Sequence, residues 1–242
     1  MHQLNERVQM AHIHLEDGAF TLFWVVVWSL LAAGIVSAAL FRQGGNRIPT
    51  RKLAIAAMCV AVGFAIFQVE IPVFGGVHIN LTPLMGILLG PSLGTLSVLV
   101  INIFSAAIGH GGWGMIGANT IVNVVEVVLG YYAYKLLRSG FKLGRFPSGF
   151  GSAAIALTVS AFIVVGIVTV SELQDSAQTR DQTFNNMLVL AAANIVTGLV
   201  EGVVTGYMVS FIGRVRPDLL QGVEGDERQE GPTIAPTEAT HV

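Results

Sequence analysis

Four side chains able to hold a transition metal stand within six positions: His12, His14, Glu16 and Asp17 in MAHIHLEDGAF. Neutral imidazole is the commonest metal ligand and suits Zn, Cu, Ni and Fe. Met10 precedes Ala11 and is a second possible start, so the first residue becomes a chemical matter. If Ala11 leads the mature chain, its backbone amine, the following amide and the His12 imidazole form a planar nitrogen set. Such a set favours Ni(II) or Cu(II). If translation starts at Met1, residues 1–9 block this arrangement and Met1-His2 takes the same place. Two more histidines, His78 and His110, follow apolar runs further along, while His2 and His241 stand near the chain ends. A lone loop histidine is more often structural than ligating; four on one face would shift that balance.

The elements that must bring them together are membrane helices. Of 242 residues, 53% are hydrophobic and 12% charged, with mean hydropathy +0.68; a soluble domain carries about 25% charged residues. Apolar runs at 20–41, 53–74, 80–90, 92–108, 115–136, 150–171 and 187–213 predict an all-α bundle of about seven transmembrane helices, residues 20–213. The short third run would fuse with the fourth across Gly90-Pro91, but charge parity favours seven. Arg42, Arg47, Arg51 and Lys52 then share a side with Lys135, Arg138, Lys142 and Arg145, and basic loops face the cytoplasm. The expectation is an N-terminus outside and a C-terminus inside, with the four histidines at the outer face. Residues 1–19 form an extracytoplasmic segment and 214–242, rich in Gly, Glu and Pro, a disordered cytoplasmic tail. MHQLNERVQ is polar, which predicts no cleaved leader.

Three carboxylates fall within or beside the apolar runs: Glu70, Glu126 and Glu201. Such groups are costly and face the bundle interior. Asn119, Asn123 and Glu126 share a helix face, as do Asn194, Gly198, Glu201 and Thr205. No basic partner is at hand, so the expectation is a polar network of Asn119, Asn123, Glu126, Asn194 and Glu201 joining the fifth and seventh helices. Glu70 and Asp17 are candidates to orient a ligating histidine. Ala57, Ala61 and Ala65 form a small-residue stripe suited to close helix packing. Cys59, the one cysteine, reads as a small buried apolar residue. Gly90-Pro91-Ser92-Leu93-Gly94 fits Gly-x-Ser-x-Gly, yet it stands in a helix–break–helix context, away from the histidines, and so does not predict a hydrolase. No Walker A motif is present, so ATP hydrolysis would need another chain.

Several segments, in order, resemble the CbiM/NikM family of substrate-binding membrane subunits in energy-coupling-factor importers. They are His14-Leu15-Glu16-Asp17-Gly18, Gln68-Val69-Glu70-Ile71-Pro72, Gly75-Gly76-Val77-His78 before Gly90-Pro91, Gly109-His110-Gly111-Gly112, Gly117-Ala118-Asn119 and Gly198-Leu199-Val200-Glu201-Gly202 with Thr205. The resemblance spans roughly residues 12–212. It implies Co(II) or Ni(II) as transported substrate, held by the chain's own amine (Ala11 if first), His12 or His14, and His78, with His110 as an added candidate. His110 stands where the family usually has aspartate, and Asn194 where it often has histidine. The resemblance also implies a transmembrane partner subunit, a pair of cytoplasmic ATPases and a small accessory membrane subunit, in a prokaryotic plasma membrane, serving cobalamin biosynthesis or nickel enzymes. The alternative is a seven-helix scaffold or receptor without metal transport.

Overall fold

The computed structural model describes residues 20–44, 48–68, 70–71, 77–171 and 180–225. Its helices are α1 (Leu22–Gln43), α2 (Thr50–Phe67), α3 (Thr82–Ala107), α4 (Ile116–Lys135), α5 (Arg145–Ser171), α6 (Arg180–Val215) and the short α7 (Gln221–Glu224). The first six are long and apolar enough to cross a membrane. Two short strands, β1 (Glu70–Ile71) and β2 (Val77–His78), pair antiparallel between α2 and α3.

The third and fourth apolar runs are the two arms of α3. Gly90 breaks it, with φ +78° and ψ 172°; glycine takes this positive φ readily. Pro91 follows, which disfavours helical geometry in the residue before it. The break is a reversal. A Cβ built on Gly94 would lie 3.8 Å from the Gly86 Cα, whereas eight residues of continuous helix span about 12 Å. The arm 82–89 is therefore only about 12 Å long, and the arm 91–107 returns over about 25 Å. Both arms rest on Val127 of α4: a Cβ on Gly94 would stand 2.6 Å from Val127 Cγ1, and one on Gly86 would run into the Val127 carbonyl.

These contacts give the bundle two distinct ends. One gathers the start of α1, the ends of α2 and α3, and the start of α4: Phe67, Asn102, Ser105, His110, Ile116 and Asn119 meet there. Phe20 joins Met115, Ala118, Val168 and Met187 in the neighbouring apolar cluster. The opposite end gathers Pro49, Arg51, Lys52, Gly90, Tyr131 and Asp218 around one cavity. Among the described residues every Arg and Lys except Arg180 falls at this second end. These are called below the histidine end and the basic end.

The α5–α6 pair has the most extensive helix contact. Lipid tails are as apolar as leucine, so close van der Waals packing must hold membrane helices together. Gly198, Gly202 and Gly206 recur every four residues along α6 and receive Leu157, Phe150 and Phe146 of α5. A Cβ on Gly149 would lie 2.9 Å from the Gly206 Cα. In contrast α1 and α2 are peripheral, and Ala57, Ala61 and Ala65 are exposed along α2.

Beyond residue 213 the described chain remains structured as far as 225. After α6 the chain turns through Pro217–Leu219 into α7, and Leu220 and Val223 are buried against Leu84, Ile87, Tyr134 and Val209. Polar composition hid these two apolar anchors. Residues 226–242 lie outside the described residues.

Candidate metal-capture site

Ala11, His12, His14 and Asp17 lie outside the described residues. The backbone of the other predicted site elements is placed. β1 and β2 set Glu70 opposite His78 in register, with Ile71 opposite Val77. Two residues on, the chain reaches Asn80, and at 3.3–3.6 Å per residue its Cα is within about 7 Å of the His78 Cα.

Asn80 ties this hairpin into the bundle. Its backbone N–H donates to Glu201 Oε2 (3.2 Å) and its side-chain amide donates to Glu126 Oε2 (2.9 Å). Leu81 holds a left-handed conformation, φ +53°, which turns the chain into α3. The Thr82 N–H then donates back to Asn80 Oδ1 (3.2 Å), and the Thr82 hydroxyl bonds Glu126 Oε2. Ser160 Oγ donates to Glu126 Oε1 (2.7 Å). Glu126 and Glu201 are 4% and 1% exposed, about halfway along the bundle.

Among the described residues no Lys or Arg bonds to the pair; the N-terminus of the short 82–89 arm approaches it instead. A helix N-terminus carries roughly +0.5 of an elementary charge and unsatisfied N–H groups. Broken helices inside membrane proteins use such ends to meet anions at depth. The 80–90 segment is therefore no full span: it starts in the bundle middle and runs to the basic end.

The expected five-residue network divides into separate parts. Asn123 donates to Asn102 Oδ1 (3.0 Å), and Asn102 donates to Thr120 Oγ1 (3.1 Å). Asn119 donates to the Gly111 carbonyl (3.4 Å). These asparagines join α4 to α3 and its following turn, not to α6. Asn123 and Glu126 share a face of α4, about 60° apart, but different neighbours meet them: Asn102 of α3 reaches Asn123, while Asn80 and Ser160 reach Glu126. Asn194 stays with the carboxylates, lining a cavity of about 60 Å³ with Asn80, Glu126, Ser160, Thr197 and Glu201.

His110 is half-buried at the histidine end, beside Phe67, Asn102, Ser105 and Asn119, and its N–H donates to the Ser105 carbonyl (2.8 Å). Gln68 reaches the same Ser105 through its hydroxyl (3.4 Å). Among the described residues no three His, Cys, Asp or Glu side chains come together as a ready metal cage. Sequence reasoning missed Asn80, Thr82 and Ser160. The available signal was Asn-Leu-Thr-Pro ahead of the short apolar run, an Asn able to accept from the backbone two residues on, followed by proline in the first helical turn.

A third group was also missed, at the basic end. Glu224 accepts from Tyr134 Oη (2.6 Å), Arg145 Nη2 (2.9 Å) and Arg138 Nε (3.4 Å). Burial acts to raise its carboxyl, but the Arg145 and Tyr134 hydrogen bonds and both guanidinium charges prevail and hold it below the ordinary carboxylate range.

Comparison with known proteins now gives these elements a family. Residues 14–219 match the family model described as "CbiM: Cobalt uptake substrate-specific transmembrane region". A cobalt transport protein CbiM of Sorangium cellulosum is 27% identical over 220 residues, covering 88% of this chain and 96% of its own. A chain of Archaeoglobus fulgidus named as a fused nickel transport protein NikMN is 28% identical over 213 residues, covering 86% of this chain and 68% of its own. The crystal structure of a truncated transition metal transporter shares the fold, with TM-score 0.72 at 20% identity over 83% of this chain and 98% of that one. The Gly-x-Ser-x-Gly match thus stands in a transport protein, not an enzyme. The chain belongs to the CbiM family, the substrate-specific transmembrane component of cobalt and nickel uptake.

Proposed function

We propose that the chain captures Co(II) or Ni(II) at the histidine end and that this end faces the outside, with the basic end and the C-terminus in the cytoplasm. The charge asymmetry supports that orientation, since basic flanks stay cytoplasmic. The ligands in this reading are His78, His12 or His14, and the amine of Ala11 where that residue leads the chain, with His110 alongside. Glu70 and Asp17 orient the imidazoles, as carboxylates beside metal-bound histidines do. The observation that carries the reading is the docked hairpin: Glu70 is in register with His78, and Asn80 fastens the strand just beyond to two buried carboxylates. A planar nitrogen set suits Ni(II), and selection against Cu(II) must come from geometry, because raw affinity favours copper.

Release inside requires energy this chain cannot supply, so it works with a transmembrane partner subunit, two cytoplasmic ATPases and a small accessory membrane subunit. The test is metal content and coordination of the purified full chain after exposure to equal Ni, Co, Zn and Cu, with intact mass to identify its first residue. The expected result is one nitrogen-ligated Ni or Co per chain, lost in His78→Ala and weakened about 10–100-fold in Glu70→Ala. Undiminished nitrogen ligation in His78→Ala would overturn the assignment.

A further inference from the structure

We infer that Glu126 and Glu201 form a second, oxygen-ligated station for the dication, below the capture site; the inference rests on the proposed transport of Co(II) or Ni(II). The cavity of about 60 Å³ beside them is lined by oxygen-bearing side chains from four elements (Asn80, Glu126, Ser160, and Asn194, Thr197 and Glu201 of α6) together with apolar side chains of α4 and α5. A water needs roughly 10–15 Å³ of such space, so a cation with part of its hydration shell fits. Glu201 Oε1 is fully buried and has no hydrogen-bond partner. The backbone and side-chain N–H groups of Asn80, which can only donate, are directed at the pair. They treat both groups as acceptors, and the bare Glu201 oxygen has no hydrogen-bonding partner among the described residues.

Charge points the same way. The helix end facing the pair offers only a partial charge, and no guanidinium or ammonium of the described residues bonds to it. Two carboxylates and one dication form a neutral set, which is the state that hydrocarbon depth favours. Co(II) and Ni(II) accept oxygen ligands, although less strongly than nitrogen. The cavity also has a direction. On α4 and α6, Val122, Asn194 and Thr197 lie on the histidine-end side of the carboxylates. The space therefore lies on the side from which an ion leaving His78 would come. One turn past Glu201, toward the basic end, Thr205 Oγ1 is a further buried oxygen without a partner.

The experiment is a Co(II) titration of the detergent-purified full chain, with X-ray absorption to separate nitrogen from oxygen coordination. Wild type is expected to take a tight nitrogen-ligated equivalent and then a weaker one with oxygen ligands alone. His78→Ala keeps the oxygen-ligated equivalent. Glu201→Gln and Glu126→Gln lose it. Thr197→Val, which leaves both carboxylates in place, weakens it several-fold and so keeps the test decisive if the glutamine variants do not fold. A wild type that stops at one nitrogen-ligated metal overturns the second station and leaves the capture site standing. An oxygen-ligated equivalent that persists unchanged in Glu201→Gln and Thr197→Val overturns it too. A wild type that binds no nitrogen-ligated metal overturns the capture reading instead.

Discussion

Glu126 and Glu201 deep in the middle of the bundle and Glu224 near the surface of its basic end are the same residue type, all with little side-chain exposure, yet balanced in opposite ways. Glu224 meets two full positive charges, Arg138 and Arg145, and a phenol. Glu126 and Glu201 meet amides, hydroxyls and a helix end. The first arrangement is complete in itself and fastens α7 across the ends of α4, α5 and α6; Arg145 also donates to the Gly213 carbonyl (3.1 Å). The second has no full positive charge among the described residues. A charge cancelled by guanidinium makes a lock. A pair met only by dipoles and hydroxyls is closed by no such counter-charge.

The strongest way to break the contrast is to remove the dipoles. Asn80→Leu preserves side-chain bulk and the backbone N–H bonded to Glu201, but strips the side-chain amide that donates to Glu126. Leaving buried charge uncompensated costs about 3–5 kcal/mol. Thermal unfolding of the purified variant should fall accordingly, and Asn80→Leu combined with Glu126→Gln should recover part of the loss. A variant as stable as wild type would show that the pair needs no such support.

A smaller effect is expected at the basic end. Hydrogen bonds to charged groups contribute about 1.5–3 kcal/mol, so Glu224→Gln should loosen the 216–225 segment by about that amount. Acid should do the same. The Glu224 carboxyl is held below its ordinary range, so its contribution is fully present above the unfolded value of about 4.3 and is lost as pH falls through the lower folded value. Amide exchange in 216–225 should rise below that point in wild type and be insensitive to it in Glu224→Gln. Exchange that rises equally in both would remove Glu224 as the cause.

The smallest effect belongs to the Arg51–Asp218 pair. Arg51 is 60% exposed, and exposed ion pairs contribute about 0.2–1 kcal/mol. Arg51→Ala should shift unfolding by no more than that, marking the pair as incidental to the lock formed by Glu224.

Much of this was legible in the residues. The helices followed from apolar runs, and Gly90-Pro91 announced the reversal that packing confirms. The intramembrane carboxylates were visible as anomalies. Their partners were not, for two physical reasons. The donor to Glu201 is a backbone N–H group, which carries no side-chain signature, and its direction depends on the left-handed turn at Leu81. Helical spacing alone also grouped Asn123 with Glu126, although their neighbours differ: Asn102 for one and Asn80 for the other. Glu224 was hidden in a polar tail, 90 residues beyond Tyr134 and 79 beyond Arg145. The histidines of the opening segment, His12 and His14, stay outside the described residues, and their part rests on chemistry read from the sequence.

The span between Asn80 and Glu201 has a consequence for how the molecule is made. The hairpin bearing His78 leaves the ribosome 121 residues before the acceptor of its backbone anchor. At bacterial or eukaryotic synthesis rates of about 5–20 residues per second, the delay is roughly 6–24 s. Through that interval a nascent chain carries Asn80 without its Glu201 partner, so a truncated or stalled product lacks the anchored hairpin. Anchoring of the hairpin thereby becomes a certificate that α6 has been translated and inserted.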